Sequence, residues 1–251
     1  MHPVLFKIGN LEIRSYSVML LLAFIIGIWV AEKRAKEKGL KPSIISDLVL
    51  WVIIGVLFGS RLFYVIMHWS DFKDNLWEII MVWHGGAVYF GGFVFAFLFG
   101  IAYSLIKKLP LVQLFDTIAP SIALGEGIGR IGCFLNGCCF GKPSRFLGVV
   151  FRPESPAGYT FQDTPLLPTQ LFQSFAGFLI FIFLLYIEKK RDFKKGQIFS
   201  LFLILFSGFR FLINFLRYYE DAFNYYFNQV VAFCFVGLGI FLYIYFGRKV
   251  R

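Results

Sequence analysis

Long apolar runs alternate with short polar breaks along this chain, and the runs are too long for the core of a soluble domain. Seven segments, at about 15–32, 46–67, 85–106, 112–134, 169–187, 197–216 and 227–247, approach the roughly 20 apolar residues a helix needs to cross about 30 Å of hydrocarbon. The pattern predicts an all-α polytopic bundle of seven transmembrane helices. The first run is followed by Glu32-Lys33-Arg34 and lacks both a basic leader and a small-residue cleavage site, so it reads as a retained helix. Two breaks are longer than the others. Residues 142–168 carry Pro143, Pro153, Pro156, Pro165 and Pro168, which predicts an irregular surface loop. Arg152, Glu154 and Asp163 in that loop suit a substrate-facing cap. Residues 71–84 interleave Phe72, Leu76, Trp77, Ile80 and Trp83 with Asp71, Lys73, Asp74 and Glu78, the pattern of an interfacial helix lying on the outer leaflet. An ordinary outer loop with belt aromatics fits the same residues. No linker or repeat divides the chain, so one transmembrane domain is expected over 1–251.

Composition agrees. Of the 251 residues, 58% are hydrophobic and 16% charged, against about 25% charged in soluble domains. The mean hydropathy is +0.71. The net charge of +10 would suit nucleic acid if it were spread evenly, but it is not. Alternate connections hold Lys33, Arg34, Lys36, Lys38 and Lys41, then Lys107 and Lys108, then Lys189, Lys190, Arg191, Lys194 and Lys195, then Arg248, Lys249 and Arg251. The opposite side holds fewer: Lys7, Arg14, Lys73, Lys142, Arg145, Arg152 and Arg217. The positive-inside rule then sets the N-terminus outside and the C-terminus in the cytoplasm, and the basic excess needs no nucleic-acid partner. Four cysteines are too few for a secreted disulfide framework.

Candidate chemistry lies inside the spans, where an ionisable side chain is costly and marks function by default. Arg61 shares a helix face with Tyr64, Val65 and His68, Arg130 stands four residues after Glu126, and Arg210 shares a face with Asn214 and Arg217. Convergent guanidiniums suit a lipid phosphate, because the planar fork binds phosphate through two parallel hydrogen bonds. The alternative is intramembrane pairing that only locks helices. The densest stretch is Gly129–Gly141, G-R-I-G-C-F-L-N-G-C-C-F-G. Gly55, Gly59, Gly125 and Gly129 fit close helix packing. Gly132, Gly137 and Gly141 fit the end of a helix and backbone approach to a ligand. Gly85, Gly86, Gly91 and Gly92 suggest a broken or tightly packed start to the third span. Cys133, Cys138 and Cys139 lack a recognisable zinc spacing and a nearby histidine, so small packing residues or one catalytic thiolate are the readings.

These residues together resemble the bacterial phosphatidylglycerol–prolipoprotein diacylglyceryl transferase family. The likeness is strongest at Gly129-Arg130-Ile131-Gly132 with Asn136-Gly137 and Gly141. It extends to Ile13-Arg14-Ser15-Tyr16, Gly59-Ser60-Arg61-Leu62-Phe63-Tyr64, both double-glycine pairs, Pro168-Thr169-Gln170-Leu171-Phe172, Arg210-Phe211 through Arg217, and Asn228-Gln229, nearly the whole chain in order. The resemblance implies transfer of a diacylglyceryl group from phosphatidylglycerol to the thiol of a lipobox cysteine in a prolipoprotein signal peptide. A thioether forms and glycerol 1-phosphate leaves, in the bacterial inner membrane, with no metal or cofactor. By similarity Arg130 holds the head group and Arg210 stabilises the leaving phosphate. Tyr16 and Asn136 line the polar cavity, and Arg61, Gly129, Gly137 and Gly141 join the phospholipid site. The chain departs from the family at Phe90, where many members have histidine, at Cys133 and Cys138 in the signature, and at Asn214, where glutamate is common. Cysteine-containing signatures are a variant within the family. The departures leave the base for the acceptor thiol open, with His84 and His68 as substitutes. They also leave open another acceptor, or a lipid-binding or transport protein without chemistry.

Overall fold

Apolar runs in this chain become helices wherever no glycine or proline imposes another backbone. The computed structural model describes residues 3–9, 11–73, 75–81 and 85–248. Its helices are α1 (Ser15–Glu37), α2 (Ser43–Met67), α3 (Trp69–Phe72), α4 (Tyr89–Ile106), α5 (Leu111–Asn136), α6 (Pro156–Thr160), α7 (Thr169–Lys190), α8 (Gln197–Leu216) and α9 (Ala222–Arg248). Six of them, α1, α2, α5, α7, α8 and α9, are long and apolar enough to cross a membrane, and α4 is apolar but shorter. The third span was expected from residue 85. It starts later because Gly85 and Gly86 hold φ of +88° and +82°, a left-handed backbone that no right-handed helix contains. The outward faces of the long helices carry Leu21, Trp29, Phe183, Phe233 and Phe241 exposed, as lipid-facing surfaces do. The chain is a multi-pass membrane protein.

Two compact units are present, Glu32–Leu114 and the combination of Met1–Ala31 with Phe115–Arg251. In the first unit α2 packs on α4 through glycine, as the small-residue spacing predicts. A Cβ on Gly55 would lie 2.6 Å from the Phe95 carbonyl oxygen, and one on Gly59 2.4 Å from that of Gly91. The expected interfacial helix over 71–84 is not continuous. Within the described residues it resolves into α3 and a 3₁₀ turn at Leu76–Ile79, while Asp74 and residues 82–84 fall outside them. The physical reason is Arg61, whose guanidinium takes the carbonyls of Glu78, Ile79 and Met81 that a regular helix would keep for itself.

The second unit is built around α5. Ala119 and Ala123 of α5 pack with Ile180 and Leu184 of α7 and Ile198 and Phe202 of α8. Ala23 of α1 packs with Leu124 and Ile128 of α5. At one end, the buried Asp116 carboxylate accepts hydrogen bonds from the Gly196 (2.5 Å) and Phe199 (2.8 Å) backbone N–H groups, so α5 caps the N-terminus of α8. Two features were not expected. Residues Val4–Ile8 (β1) and Leu11–Arg14 (β2) form an antiparallel hairpin before α1, with Ile8 paired to Leu11. The loop 142–168 has its own small core, in which Phe151, Ala157 and Leu166 pack with Phe140. It contains the short helix α6, capped by Ser155, whose hydroxyl accepts from the Gly158 N–H at 3.1 Å.

Candidate functional site

Residues near the C-terminal end of α5 build the site. Helical spacing sets Glu126 and Arg130 on one face, and Arg130 Nε donates to Glu126 Oε1 at 2.7 Å. Gln173 of α7 donates to the same carboxylate oxygen from Nε2 at 3.2 Å. Its own carbonyl oxygen accepts from Arg210 Nη1 of α8 at 2.8 Å. Arg130, Glu126, Gln173 and Arg210 thus form one hydrogen-bonded chain across three helices. Two guanidiniums stand against one carboxylate, which only Arg130 meets directly, so the chain carries a net positive charge. Each arginine gives one N–H to this chain, and its others have no protein partner among the described residues. Desolvated guanidiniums with most of their donors free are what a phosphate diester requires.

Arg61 differs in kind. All of its N–H-bearing nitrogens are taken by carbonyls: Nε by Ile79 at 3.0 Å, Nη1 by Gly85 and by Gly86 at 3.2 Å, Nη2 by Glu78 and by Met81 at 3.3 Å. The guanidinium also lies over the Phe72 ring, 5.2 Å from its centroid. Its geometry is that of a structural residue closing the loop after α2, and the expected phosphate contact has no donor left to serve it.

The glycines of the signature separate in the same way. Gly129 faces open space, with nothing within 4 Å of an added Cβ, so helix packing does not account for it. Gly132 packs on α1, where an added Cβ would meet Met19 at 2.9 Å and Tyr16 Cα at 3.4 Å. Gly137 turns the chain out of α5 with φ of +72°, and Ser155 Cβ fills the space beside it at 2.5 Å. Gly141 is crossed by Leu167 and Thr169, each 2.7 Å from an added Cβ. At both positions the close approach is made by protein, not left free for a ligand.

Just after α5 the chain folds back on itself. Gln170 donates to the Cys138 carbonyl at 2.7 Å and Thr169 to that of Cys139 at 3.0 Å, so α7 grips this turn. Asn136 is the last residue of α5, and beyond it the Cys138 thiol donates to the Cys133 carbonyl at 3.7 Å. Cys139 lines a polar cavity of about 350 Å³ with Arg217, Tyr218, Tyr219, Glu220, Asn224 and Asn228. Hydrogen bonds from Cys133 and Cys138, followed by the charges of Arg217 and Arg130, hold the Cys139 thiol well below its ordinary pKa against the opposing effect of burial. Asn214 is bonded within the protein. It is fully buried, donating to Gln229 at 3.1 Å and accepting from the Tyr219 hydroxyl at 2.8 Å. His68 is exposed and stacks on Tyr64, with ring centroids 4.3 Å apart, while His84 lies outside the described residues. Sequence reasoning missed Gln173, the bridge between the two arginines. An amide three residues after Gln170 on an otherwise apolar span was the available signal.

Comparison with known proteins gives one answer throughout. The family model described as prolipoprotein diacylglyceryl transferase matches residues 3–245. A protein of Clostridium tetani named phosphatidylglycerol–prolipoprotein diacylglyceryl transferase is 35% identical over 220 residues, 86% of each chain. Proteins of the same name from Listeria welshimeri (33% over 249 residues, 97% of this chain and 89% of the relative) and Finegoldia magna (32% over 253 residues, 100% and 98%) match as well.

Proposed function

The chain belongs to the prolipoprotein diacylglyceryl transferase family, and from that premise we propose that it transfers the diacylglyceryl group of phosphatidylglycerol to the lipobox cysteine thiol of prolipoproteins. A thioether forms and glycerol 1-phosphate leaves. The observation that carries the reading is the pair of guanidiniums with most donors free, Arg130 and Arg210, tied together through Glu126 and Gln173. The glyceryl carbon is displaced from a phosphate oxygen, so the barrier falls when charge growing on that phosphate meets fixed cations in a dry site. Arg130 binds the head group and Arg210 takes the developing charge. The tether through Gln173 holds both at a fixed spacing, which removes the cost of reorganising them.

Tyr16, packed against Gly132, and Asn136, at the end of α5, line the polar floor beside the arginines. Gly129 leaves the backbone next to Arg130 open to the head group. Gly137 and Gly141 serve the phospholipid site indirectly, Gly137 through its left-handed turn and Gly141 by admitting Leu167 and Thr169 against the chain. Phospholipid and signal helix both live in the bilayer, so access is lateral. An apolar recess of about 370 Å³ between α7 and α8, lined by Phe172, Phe175, Phe209 and Leu212 among others, supports this route for acyl chains. Its walls come from the helices that carry Gln173 and Arg210.

The chain spans the bacterial inner membrane seven times, with its N-terminus outside and its C-terminus in the cytoplasm. At about 1.5 Å per residue, the 18 residues of α4 reach about 27 Å, the short end of a transmembrane span. The family match crosses both compact units, which supports one functional domain over 1–251.

Purified protein incubated with phosphatidylglycerol and a lipobox peptide tests the reading. Thioether product by mass, with glycerol phosphate in equal amount and none from a peptide with serine for cysteine, is the expected result. Lipid binding without product would return the chain to a lipid-binding or transport role, and product on another nucleophile to a relative with a different acceptor.

A further inference from the structure

Three cysteines have no part in the transfer as drawn above, and they stand together. The Sγ atoms of Cys133, Cys138 and Cys139 all lie within 4.8 Å of one another. The arrangement is built by backbone. Gly137 N–H donates to the Phe134 carbonyl and Cys138 N–H to that of Cys133, each at 3.1 Å, while Gly137 and Cys139 hold φ of +72° and +61°. Two left-handed residues within three positions return the chain to the last turn of α5. For Cys139, which has a Cβ, that conformation is strained and persists because its surroundings hold it. The spacing Cys133-x4-Cys138-Cys139 gave no warning of this, because the pairing is made by the reversal and not by helical or knuckle periodicity.

We propose that Cys133, Cys138 and Cys139 hold a zinc-class divalent cation, with its fourth coordination position open toward the cavity that Cys139 lines. Tetrahedral zinc with Zn–S bonds of about 2.3 Å separates its sulfurs by roughly 3.8 Å, so a contraction of about 1 Å or less closes the shell. Sulfur donors select a thiophilic ion over magnesium or calcium, which take oxygen. Three protein ligands with one vacant position is the pattern of zinc sites that do chemistry, whereas structural sites use four. Charge agrees as well: three thiolates on a divalent cation leave one negative charge, and the Arg217 and Arg130 charges both bear on Cys139. A packing role fits Cys133, which is buried, but not Cys138 and Cys139, which are half-buried, the latter facing Arg217, Glu220 and Asn228. A further sign is Gln170, whose amide N–H₂ grips the Cys138 carbonyl. It is 1% exposed, and its Oε1 has no hydrogen-bond partner among the described residues. A water on the cation is a donor of the kind that such an acceptor lacks.

The open position takes a thiol, a step that rests on the transferase reading. As the acceptor sulfur binds the cation, its proton passes to solvent. The sulfur electron pair then forms the C–S bond to the glyceryl carbon, and the C–O bond to phosphate breaks with its pair on the departing glycerol phosphate. The cation keeps its oxidation state throughout. It supplies the acceptor thiolate without a histidine at position 90 or a glutamate at position 214.

The test uses full-length protein from zinc-supplemented cells, purified in detergent, with metal measured by mass spectrometry. About one zinc per chain is expected. Cys133→Ser and Cys139→Ser should lose it, and Cys234→Ser, exposed on α9, should keep it. Cobalt added to chelated wild type should give a thiolate-to-metal charge-transfer band, a readout independent of how the serine variants fold. That spectrum should change with a lipobox peptide and not with its serine form. Wild type without bound metal, or with a mass short by two hydrogens from a disulfide within the cluster, would overturn the proposal. So would thioether formation at full rate after the metal is stripped. Zinc-loaded protein that makes no thioether would leave the metal site standing and remove the transferase reading instead.

Discussion

Arg61, Arg130 and Arg210 read alike in the sequence, each a guanidinium inside an apolar span, and only their partners tell them apart. Arg61 is used up by the carbonyls of its own loop, while Arg130 and Arg210 keep most of their donors. Periodicity identified these side chains as facing the bundle but could not say which would be saturated, since the saturating carbonyls come from an irregular segment. Gln173 is where this difference is most open to experiment. Gln173→Leu removes the bridge, leaves the half-buried Glu126 and Arg210 groups less satisfied, and frees Arg210 to move. Turnover should fall at least tenfold, with a loss of stability of about 1–3 kcal/mol. Gln173→Glu, which keeps an acceptor for Arg210, should recover part of the stability. Kinetics and thermal unfolding of both variants in detergent check this, and unchanged turnover in Gln173→Leu would mean the bridge positions nothing.

Elements were legible where hydrophobic length alone decides them, and less so where a polar or glycine contact intervenes. α1, α5, α7 and α8 lie close to the expected spans. The start of α4 was moved by left-handed Gly85 and Gly86, and the segment 71–84 was broken by carbonyls turned toward Arg61. The hairpin of β1 and β2 had a signal in the apolar alternation Val4, Phe6, Ile8 and Leu11, Ile13 about Gly9-Asn10, a pattern overshadowed by the long apolar run that follows. Two substitutions probe the elements directly. Gly59→Val forces a side chain against the Gly91 carbonyl and Phe95, and should destabilise the pairing of α2 with α4 by about 1–3 kcal/mol, seen as increased proteolysis of that unit. Asp116→Ala uncaps α8 and should cost about 1–2 kcal/mol in unfolding, with little change in the KM for phospholipid.

For the whole molecule, the fold class and the family were legible early, because hydrophobic length, basic asymmetry and a motif order covering nearly the full chain agree. The convergence of the three thiols was not, since a backbone reversal produces it. Orientation is tested with reporter fusions: alkaline phosphatase after residue 153 should be active, and the same enzyme after residue 248 inactive, with the reverse pattern inverting the topology. The central claim is that two of the three intramembrane arginines act on the phosphate. The most direct measurement is turnover at saturating phosphatidylglycerol for Arg130→Lys, Arg210→Lys and Arg61→Lys, each checked for native thermal stability. Lysine keeps the charge but not the planar fork. Arg210→Lys should lower kcat on the order of 10²–10³-fold and Arg130→Lys should be comparably impaired. Arg61→Lys should act through stability, with near-normal turnover per folded molecule. Wild-type turnover in Arg210→Lys, or an Arg61→Lys protein that is stable yet inactive, would contradict it.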